Sequence, residues 1–418
     1  MMDYTKFLAK VVAHRKGNLI RDINALYEKK PSGIVFAGGM PNVATFPIKD
    51  ISLTFKPNIS LKLDERELSS ALQYLPTQGY APLLKKWKEF QTRWHKPKYN
   101  DWDAIVMCGS MDGCNKVFEM MINPNDPIMI QIPTYSGVIG ALRPLSPEIV
   151  QINQDADGII PEDIAEQCEQ RRRDGKPMPK FLYVNPTAAN PTGTVLSDDR
   201  RRQVYKLAQI YDFLIVEDDP YCFIHFLDKQ PLSFFSLDTD GRVIRLDSFS
   251  KIISSGMRLG VVTAGKKIVS ILSVHMSNSL LHAPALSQVV LYKLLDVWGW
   301  DKFEEHFKDV QRFYRERRDI MLAAIEKHLT GLAEWTVPQG GMFFWLKIQG
   351  LENATDLAMQ KSAPAGVFVL PESAFNYTNT YSNNCLRLSY SYASPEEMDK
   401  GLSILANIIR ENVKQNSR

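Results

Sequence analysis

The chain has 418 residues, 44% of them hydrophobic and 23% charged, with 50 Lys and Arg against 47 Asp and Glu for a net charge of +3. That length can bury a large core and predicts more than one domain, while the near balance of charge gives no support for a nucleic-acid or anionic-membrane partner, which needs a clustered basic face. No apolar run reaches the ~20 residues of a membrane span. The densest basic run, Arg171 to Arg173, is flanked by Glu169 and Asp174 and reads as a solvated helix end. The five cysteines, at 108, 114, 168, 222 and 385, include no CxxC pair. They predict neither a disulfide framework nor a zinc site, and a reducing compartment: the cytoplasm, with the mitochondrion as the alternative. The seven histidines are scattered without metal-ligand spacing, so no metal is expected.

In chain order, the first sixteen residues carry Lys6, Lys10, Arg15 and Lys16 against Asp3. They lack the Ser and Arg enrichment of a presequence and read as an N-terminal helix of the mature protein. No repeat is visible, which excludes a solenoid. From about 104 to 265 short apolar runs recur: 104–107, 127–132, 148–152, 181–184, 213–217, 243–247 and 260–265. Helix-like stretches such as 110–123 and 197–211 lie between most of them, the second starting with Ser197 as N-cap and Asp198 and Asp199 in the first turn. This alternation predicts an α/β fold, a mostly parallel sheet covered by helices. Residues 266–330 read mainly helical, with an amphipathic pattern over 308–329. Two extended segments, 341–348 and 385–391, and a last helix from Pro395 predict a smaller α+β domain. The expected division is 1–50, serving the small domain and the active site, 51–310 as the large domain, and 311–418 as the small domain.

Ligands of open parallel sheets collect beyond the carboxyl ends of the strands. Cys108-Gly109-Ser110 follows the first run, Pro133-Thr134-Tyr135 the second, and Asn185 then Asn190-Pro191-Thr192-Gly193 the fourth. Asp218-Asp219-Pro220-Tyr221 follows the fifth and Asp247-Ser248-Phe249-Ser250-Lys251 the sixth. Gly109-Ser110 opening a helix offers N–H groups to a phosphate. Ser248, Ser250 and Arg258 add donors beside Lys251, whose amine such cations activate for attack on a carbonyl. Asp218 suits a heterocyclic nitrogen, and Tyr135 a flat ring. Taken singly, each piece except Lys251 is better explained as an ordinary turn or cap. Their order on successive strands favours a cofactor site.

The succession GS, PTY, NPTG, DDPY, SFSK and MRLG resembles the fold-type-I, pyridoxal 5'-phosphate (PLP)-dependent aminotransferases. Within them the chain is most similar to the kynurenine/2-aminoadipate aminotransferases and the fungal aromatic aminotransferases. The likeness runs from about residue 4 to the last helix. Its most specific stretches are VFAGGMPN (35–42), ALQYLPTQGYAPL (71–83), VEDDPY (216–221), RVIRLDSFSKIISSGMRLG (242–260), LTGLAEW (329–335) and LRLSYSYASPEEMD (386–399).

The resemblance implies roles residue by residue. Lys251 matches the Schiff-base lysine, which also shuttles the α-proton. Asp218 matches the partner of the pyridine nitrogen, and Asn190 and Tyr221 the partners of the phenolic oxygen. Tyr135 matches the ring stacked on the cofactor. Ser110, Ser248, Ser250 and Arg258 match the phosphate cup. Met111 stands where a glutamine is usual, keeping the backbone donor alone. Arg387 matches the arginine that forks onto the substrate α-carboxylate, with Asn190 beside it, and Gly39 and Arg21 lie in the segment shaping the substrate pocket. Tyr74 matches a tyrosine that reaches the neighbouring subunit's phosphate, implying a homodimer. Other departures are NPTAANPTG before Asn190, His282-Ala283-Pro284, and Leu-Pro-Glu at Glu372 where Leu-Pro-Gly is common.

The implied reaction is ping-pong transfer of an α-amino group from an amino acid of 2-aminoadipate, kynurenine or aromatic type to a 2-oxo acid such as 2-oxoglutarate. The alternative on the same fold is a β-lyase or decarboxylase. A PLP-sensing regulator is disfavoured, since about thirty residues precede VFAGGMPN, too few for a helix-turn-helix domain. A cofactor-free pseudoenzyme is disfavoured by Lys251.

Overall fold

The computed structural model describes residues 2–17, 39–56, 58–378 and 383–416, with single positions 19, 23, 26, 32, 34 and 36. The chain forms two compact units, Met1–Asn123 with Phe234–Glu305 and Pro124–Ser233 with His306–Arg418.

In the first unit, strand Gly260–Gly265 lies between Trp102–Met107 and Val243–Ser248 and is antiparallel to both. The alternation of elements predicts a mostly parallel sheet, and strand Gly260–Gly265 is antiparallel to Val243–Ser248 for a local reason. A parallel return needs a crossover, usually a helix. Residues 249–259 hold only the 3-10 turn Ser255–Met257, so the chain reverses directly. Helices Ser110–Met121 and Lys266–Ser277 pack on these strands and on each other. Helix Ala81–His95 contributes Trp87, stacked on Phe90 and edge-on to Phe249, each at 4.8 Å.

In the second unit, four strands are parallel. Pro127–Gln131 pairs with Glu148–Ile152 on one side and Phe181–Val184 on the other, and Leu214–Asp218 pairs with Phe181–Val184. Every residue of Pro127–Gln131, Phe181–Val184 and Leu214–Asp218 is buried, which is why they read as continuous apolar runs. Helices Pro161–Arg173 and Asp198–Tyr211 make the crossovers, and Ser197 caps the second, its side chain accepting from Arg200 N–H. Parallel direction brings the loops at Pro133, Asn185 and Asp219 to one edge. A second, antiparallel sheet runs Ala333–Trp335, Phe343–Ile348, Cys385–Ser389, Leu370–Pro371. Helix Pro395–Asn416 follows it.

Two local readings are corrected. The first residues form separate 3-10 turns, Thr5–Phe7 and Lys10–His14. They are held by long-range bonds, Tyr4 Oη–H to Gly241 O at 2.6 Å and Lys10 N–H to Asn123 Oδ1 at 2.8 Å, rather than by one helical ladder. Arg171 is not solvated. It is buried, forking onto Glu148 at 2.7 and 2.8 Å and donating Nε–H to Pro177 O, while Arg172 and Arg173 stay exposed. The helix Ala285–Leu329 is broken at Gly299, whose φ of 63° and ψ of −179° leave the helical region. Among the described residues no helix is long and apolar enough to cross a membrane, and none of the five cysteines forms a disulfide.

Candidate active site

In the first unit several donor groups gather around the end of strand Val243–Ser248. Gly109, at φ 86°, turns the chain into helix Ser110–Met121. A Cβ on Gly109 would stand 2.7 Å from Arg258 Nη2, so the guanidinium lies directly against this turn. A Cβ on Gly260 would meet Ser110 N at 2.7 Å and Asp247 O at 2.8 Å, so only glycine lets the two backbones approach. Arg258 donates from Nη1 to Ser250 Oγ at 3.4 Å and Ser255 O at 3.1 Å, and Ser250 N–H donates to Ser248 Oγ at 3.3 Å. Ser110, Met111, Ser248, Ser250 and Arg258 are thus drawn to one place, with Lys251 next in the chain. The helix N-terminus supplies first-turn N–H groups without intrahelical partners. Asp112, an acid in that turn, is neutralised by Lys116 and accepts from Cys108 N–H at 3.0 Å.

Behind these donors sits a buried polar layer. Asp247 accepts from Arg245 Nη2 at 2.8 Å and from Gln91 Nε2 at 2.7 Å, and all three side chains are buried. This layer fixes the strand from which Ser248 to Lys251 emerge. Tyr74 is half-exposed, its ring edge-on to His282 at 6.0 Å. Gly39 is exposed, with open space where a Cβ would go. Arg21 lies outside the described residues.

The second unit brings Tyr135, Asn190, Asp218, Tyr221 and Arg387 into a second cluster. Asp218 closes strand Leu214–Asp218 with its carboxylate buried, accepting from Tyr183 Oη–H at 2.6 Å. Its carbonyl accepts from Asn185 Nδ2 at 2.6 Å, and Asn185 Oδ1 accepts from Asn190 N–H at 2.8 Å. Gln131 Oε1 accepts from Asn185 N–H at 2.7 Å. The loops after three strands are therefore tied together. Tyr135 precedes helix Ser136–Leu142, its ring so close to Gly137 that a Cβ there would stand 2.6 Å from it.

Arg387, on strand Cys385–Ser389, donates from Nη1 to Asn190 Oδ1 at 2.8 Å. Its guanidinium lies 4.0 Å from the ring centre of Phe343 and 5.0 Å from that of Phe375. Its Nε is buried with no hydrogen-bond partner among the described residues. A guanidinium packed against two rings with N–H capacity to spare fits a carboxylate fork. Burial lowers the Arg387 pKa, the buried Tyr221 and nearby Tyr135 opposing this. Burial pushes the Tyr221 phenol well above its ordinary value, so it keeps its proton and remains a donor.

Sequence reasoning missed several supports. Tyr183 was legible only as an apolar strand residue, and Gln131 and Asn185 as strand-end polar residues without partners. Phe343 and Phe375 carry no signal for a role on Arg387 beyond their aromatic character.

The first cluster gathers hydroxyl, N–H and guanidinium donors beside a lysine, and the second presents a buried guanidinium beside Asn190. Comparison with known proteins assigns the family. The family description "Aminotransferase class I and II" matches residues 53–405. The bovine mitochondrial kynurenine/alpha-aminoadipate aminotransferase is 39% identical over 425 residues, covering 99% of this chain and 100% of its own. Aminotransferase Aro8 of Candida albicans shares the fold with a TM-score of 0.89 at 24% identity, with 99% of each chain covered. The Pyrococcus horikoshii kynurenine aminotransferase, solved in complex with PMP, KYN and KYA, superposes with a TM-score of 0.79 at 28% identity over 98% of each chain. The chain belongs to the class I and II aminotransferase family and is a PLP-dependent aminotransferase of fold type I.

Proposed function

We propose that this enzyme transfers the α-amino group of 2-aminoadipate, kynurenine or an aromatic amino acid to a 2-oxo acid such as 2-oxoglutarate, with PLP held by Lys251 and the cup around it. The carrying observation is the contact chain Gly109–Arg258–Ser250–Ser248 beside Lys251. When bound, PLP supplies an aldehyde that joins to amines and a ring that withdraws electrons.

Each residue has a part in this reading. Arg258, Ser248, Ser250, Ser110 and the Met111 N–H hold the phosphate. Asp218, oriented by Tyr183, holds the proton on the pyridine nitrogen. Neutral Tyr221 and the Asn190 amide donate to the phenolic oxygen. Tyr135 covers the ring. Arg387 fixes the substrate carboxylate, orienting the α-C–H, and Lys251 Nζ takes the α-proton and returns it during transfer. Gly39 and Arg21 belong to the segment that shapes the substrate pocket. The assembly is a homodimer in which Tyr74 reaches the other copy's phosphate. A reducing compartment, the cytoplasm first and the mitochondrion second, fits five cysteines without a disulfide.

The substrate class also rests on the bovine relative, named for kynurenine and alpha-aminoadipate. The experiment is a panel of amino donors with 2-oxoglutarate and purified protein, following glutamate. Stoichiometric pyridoxamine phosphate on adding donor without oxo acid is expected. Its absence, with release of a β-leaving group or carbon dioxide, means lyase or decarboxylase chemistry instead.

A further inference from the structure

Glu372 is a buried carboxylate with no part in the chemistry above. It is 7% exposed and opens the 3-10 turn Glu372–Phe375. Its Oε2 accepts two backbone donors, Asn384 N–H at 3.0 Å and Cys385 N–H at 3.1 Å. Burying a carboxylate is costly unless hydrogen bonds replace its water, and these do so.

The location gives the bonds their consequence. Strand Cys385–Ser389 carries Arg387. On one side Phe343–Ile348 flanks its whole length. On the other side the neighbour among the described residues is Leu370–Pro371, pairing with Arg387 and Leu386. The ladder ends at Pro371. The Glu372 side chain takes over as acceptor where the backbone stops. The turn it opens ends in Phe375, whose ring lies on the Arg387 guanidinium at 5.0 Å and edge-on to Trp345 at 5.6 Å. Phe375 is fixed in turn, its carbonyl accepting from Thr134 N–H at 2.9 Å. One carboxylate therefore ties together both supports of Arg387, the strand beneath it and the ring upon it.

We propose that Glu372 is the positioning residue for Arg387, holding the fork that receives the α-carboxylate of every donor and oxo acid. This rests on reading Arg387 as the carboxylate fork. A residue in this role sets substrate affinity across all substrates alike and leaves cofactor attachment untouched.

The test compares Glu372→Ala, Glu372→Gln and Arg387→Lys as purified holoenzymes, by amide hydrogen exchange over 384–389, by KM and kcat for several donors, and by visible absorbance. Glu372→Ala should speed exchange at the Asn384 and Cys385 amides about tenfold or more, the scale of hydrogen bonds to a charged group. It should raise KM for every donor about tenfold at near-normal kcat, with the absorbance intact. Glu372→Gln, which keeps the acceptor oxygen, should restore most of both. Unchanged exchange overturns the anchor. Faster exchange with unchanged KM, while Arg387→Lys raises KM, overturns the positioning role. If neither variant moves KM, the carboxylate reading of Arg387 fails and takes the proposal with it. Should Glu372→Ala not fold, Glu372→Asp, one methylene short, must show the same KM pattern at smaller size, and a normal KM there overturns the proposal.

Discussion

Arg387 and Asn190 are joined by a 2.8 Å hydrogen bond across 197 residues of sequence. The Asn190 carbonyl oxygen is turned to the guanidinium, which leaves its NH2 to donate elsewhere. One contact thus couples the residue assigned to the substrate carboxylate with one assigned to the cofactor oxygen. Lysine in place of Arg387 loses the fork, the contact with Phe343 and Phe375, and the fixed approach to Asn190. Arg387→Lys should lower kcat/KM for all donors alike, by roughly a hundredfold, since each charge-assisted bond contributes about 1.5–3 kcal/mol. Steady-state kinetics on acidic and aromatic donors decide it. Loss confined to acidic donors would show that Arg387 reads the side chain instead.

Tyr183 donates to Asp218 at 2.6 Å from a wholly buried position. Tyr183→Phe keeps the packing and deletes the bond. We expect α-proton removal in single turnovers to slow about tenfold, the scale of one hydrogen bond to a charged acceptor. Asp218→Asn, which removes the charge itself, should slow it much further with cofactor still bound. A Phe variant at the normal rate would mean that Asp218 is oriented by other contacts.

Gly260 admits no side chain without moving backbone at Ser110 or Asp247. Gly260→Ala should cost about 1–3 kcal/mol through overpacking and weaken PLP binding, because the displaced atom is a cup donor. Thermal melts with and without cofactor separate the two effects. Lost stability with unchanged cofactor affinity removes Ser110 N from the cup.

Acid should destabilise the fold through three buried histidines. Burial holds His95 well below its ordinary value, lowers His225, and lowers His275 to about 4. A depressed folded pKa means the unfolded chain binds the proton first. Each contribution is complete above the ordinary value of about 6.5 and fades as pH falls toward the folded value, by at most about 1.4 kcal/mol per pH unit per group. Melting temperature should therefore begin to fall below pH 6.5. A flat profile from pH 7 to 5 contradicts it.

What was legible follows from range. The strands were readable because short, mostly apolar runs recur between helix-like stretches, and Ser197 because its cap partner is three residues away. The polar groups that follow each strand were readable because each is local, Ser248 to Lys251 above all. The supports were not, since each depends on a partner far along the chain: Arg171 on Glu148, Tyr183 on Asp218, Gln91 on Asp247. Charge pattern alone gave Arg171 to water because Glu148 is invisible from position 171. Glu372 stood out only as a departure, and its partners at 384 and 385 emerge from the register of a two-residue strand.

Assembly offers the most specific test of Tyr74. Tyr74 is 51% exposed with its ring edge-on to His282, and a half-exposed aromatic beside a loop is ordinarily a surface residue. The proposed homodimer gives it another part, completing the phosphate cup of the second copy. Lys251, by contrast, serves its own site. Lys251→Ala alone should abolish visible absorbance and nearly all turnover, and Tyr74→Ala should be strongly impaired. In a mixed dimer both lesions fall in one site, and the other is wholly wild type. With equal mixing and random pairing, half the dimers are mixed and half of their sites are intact. Co-refolding the two variants should then restore about a quarter of normal activity. Gel filtration checks the dimer, and differently tagged subunits check that mixed dimers form. Mixed dimers without recovered activity would place Tyr74 outside the partner's site.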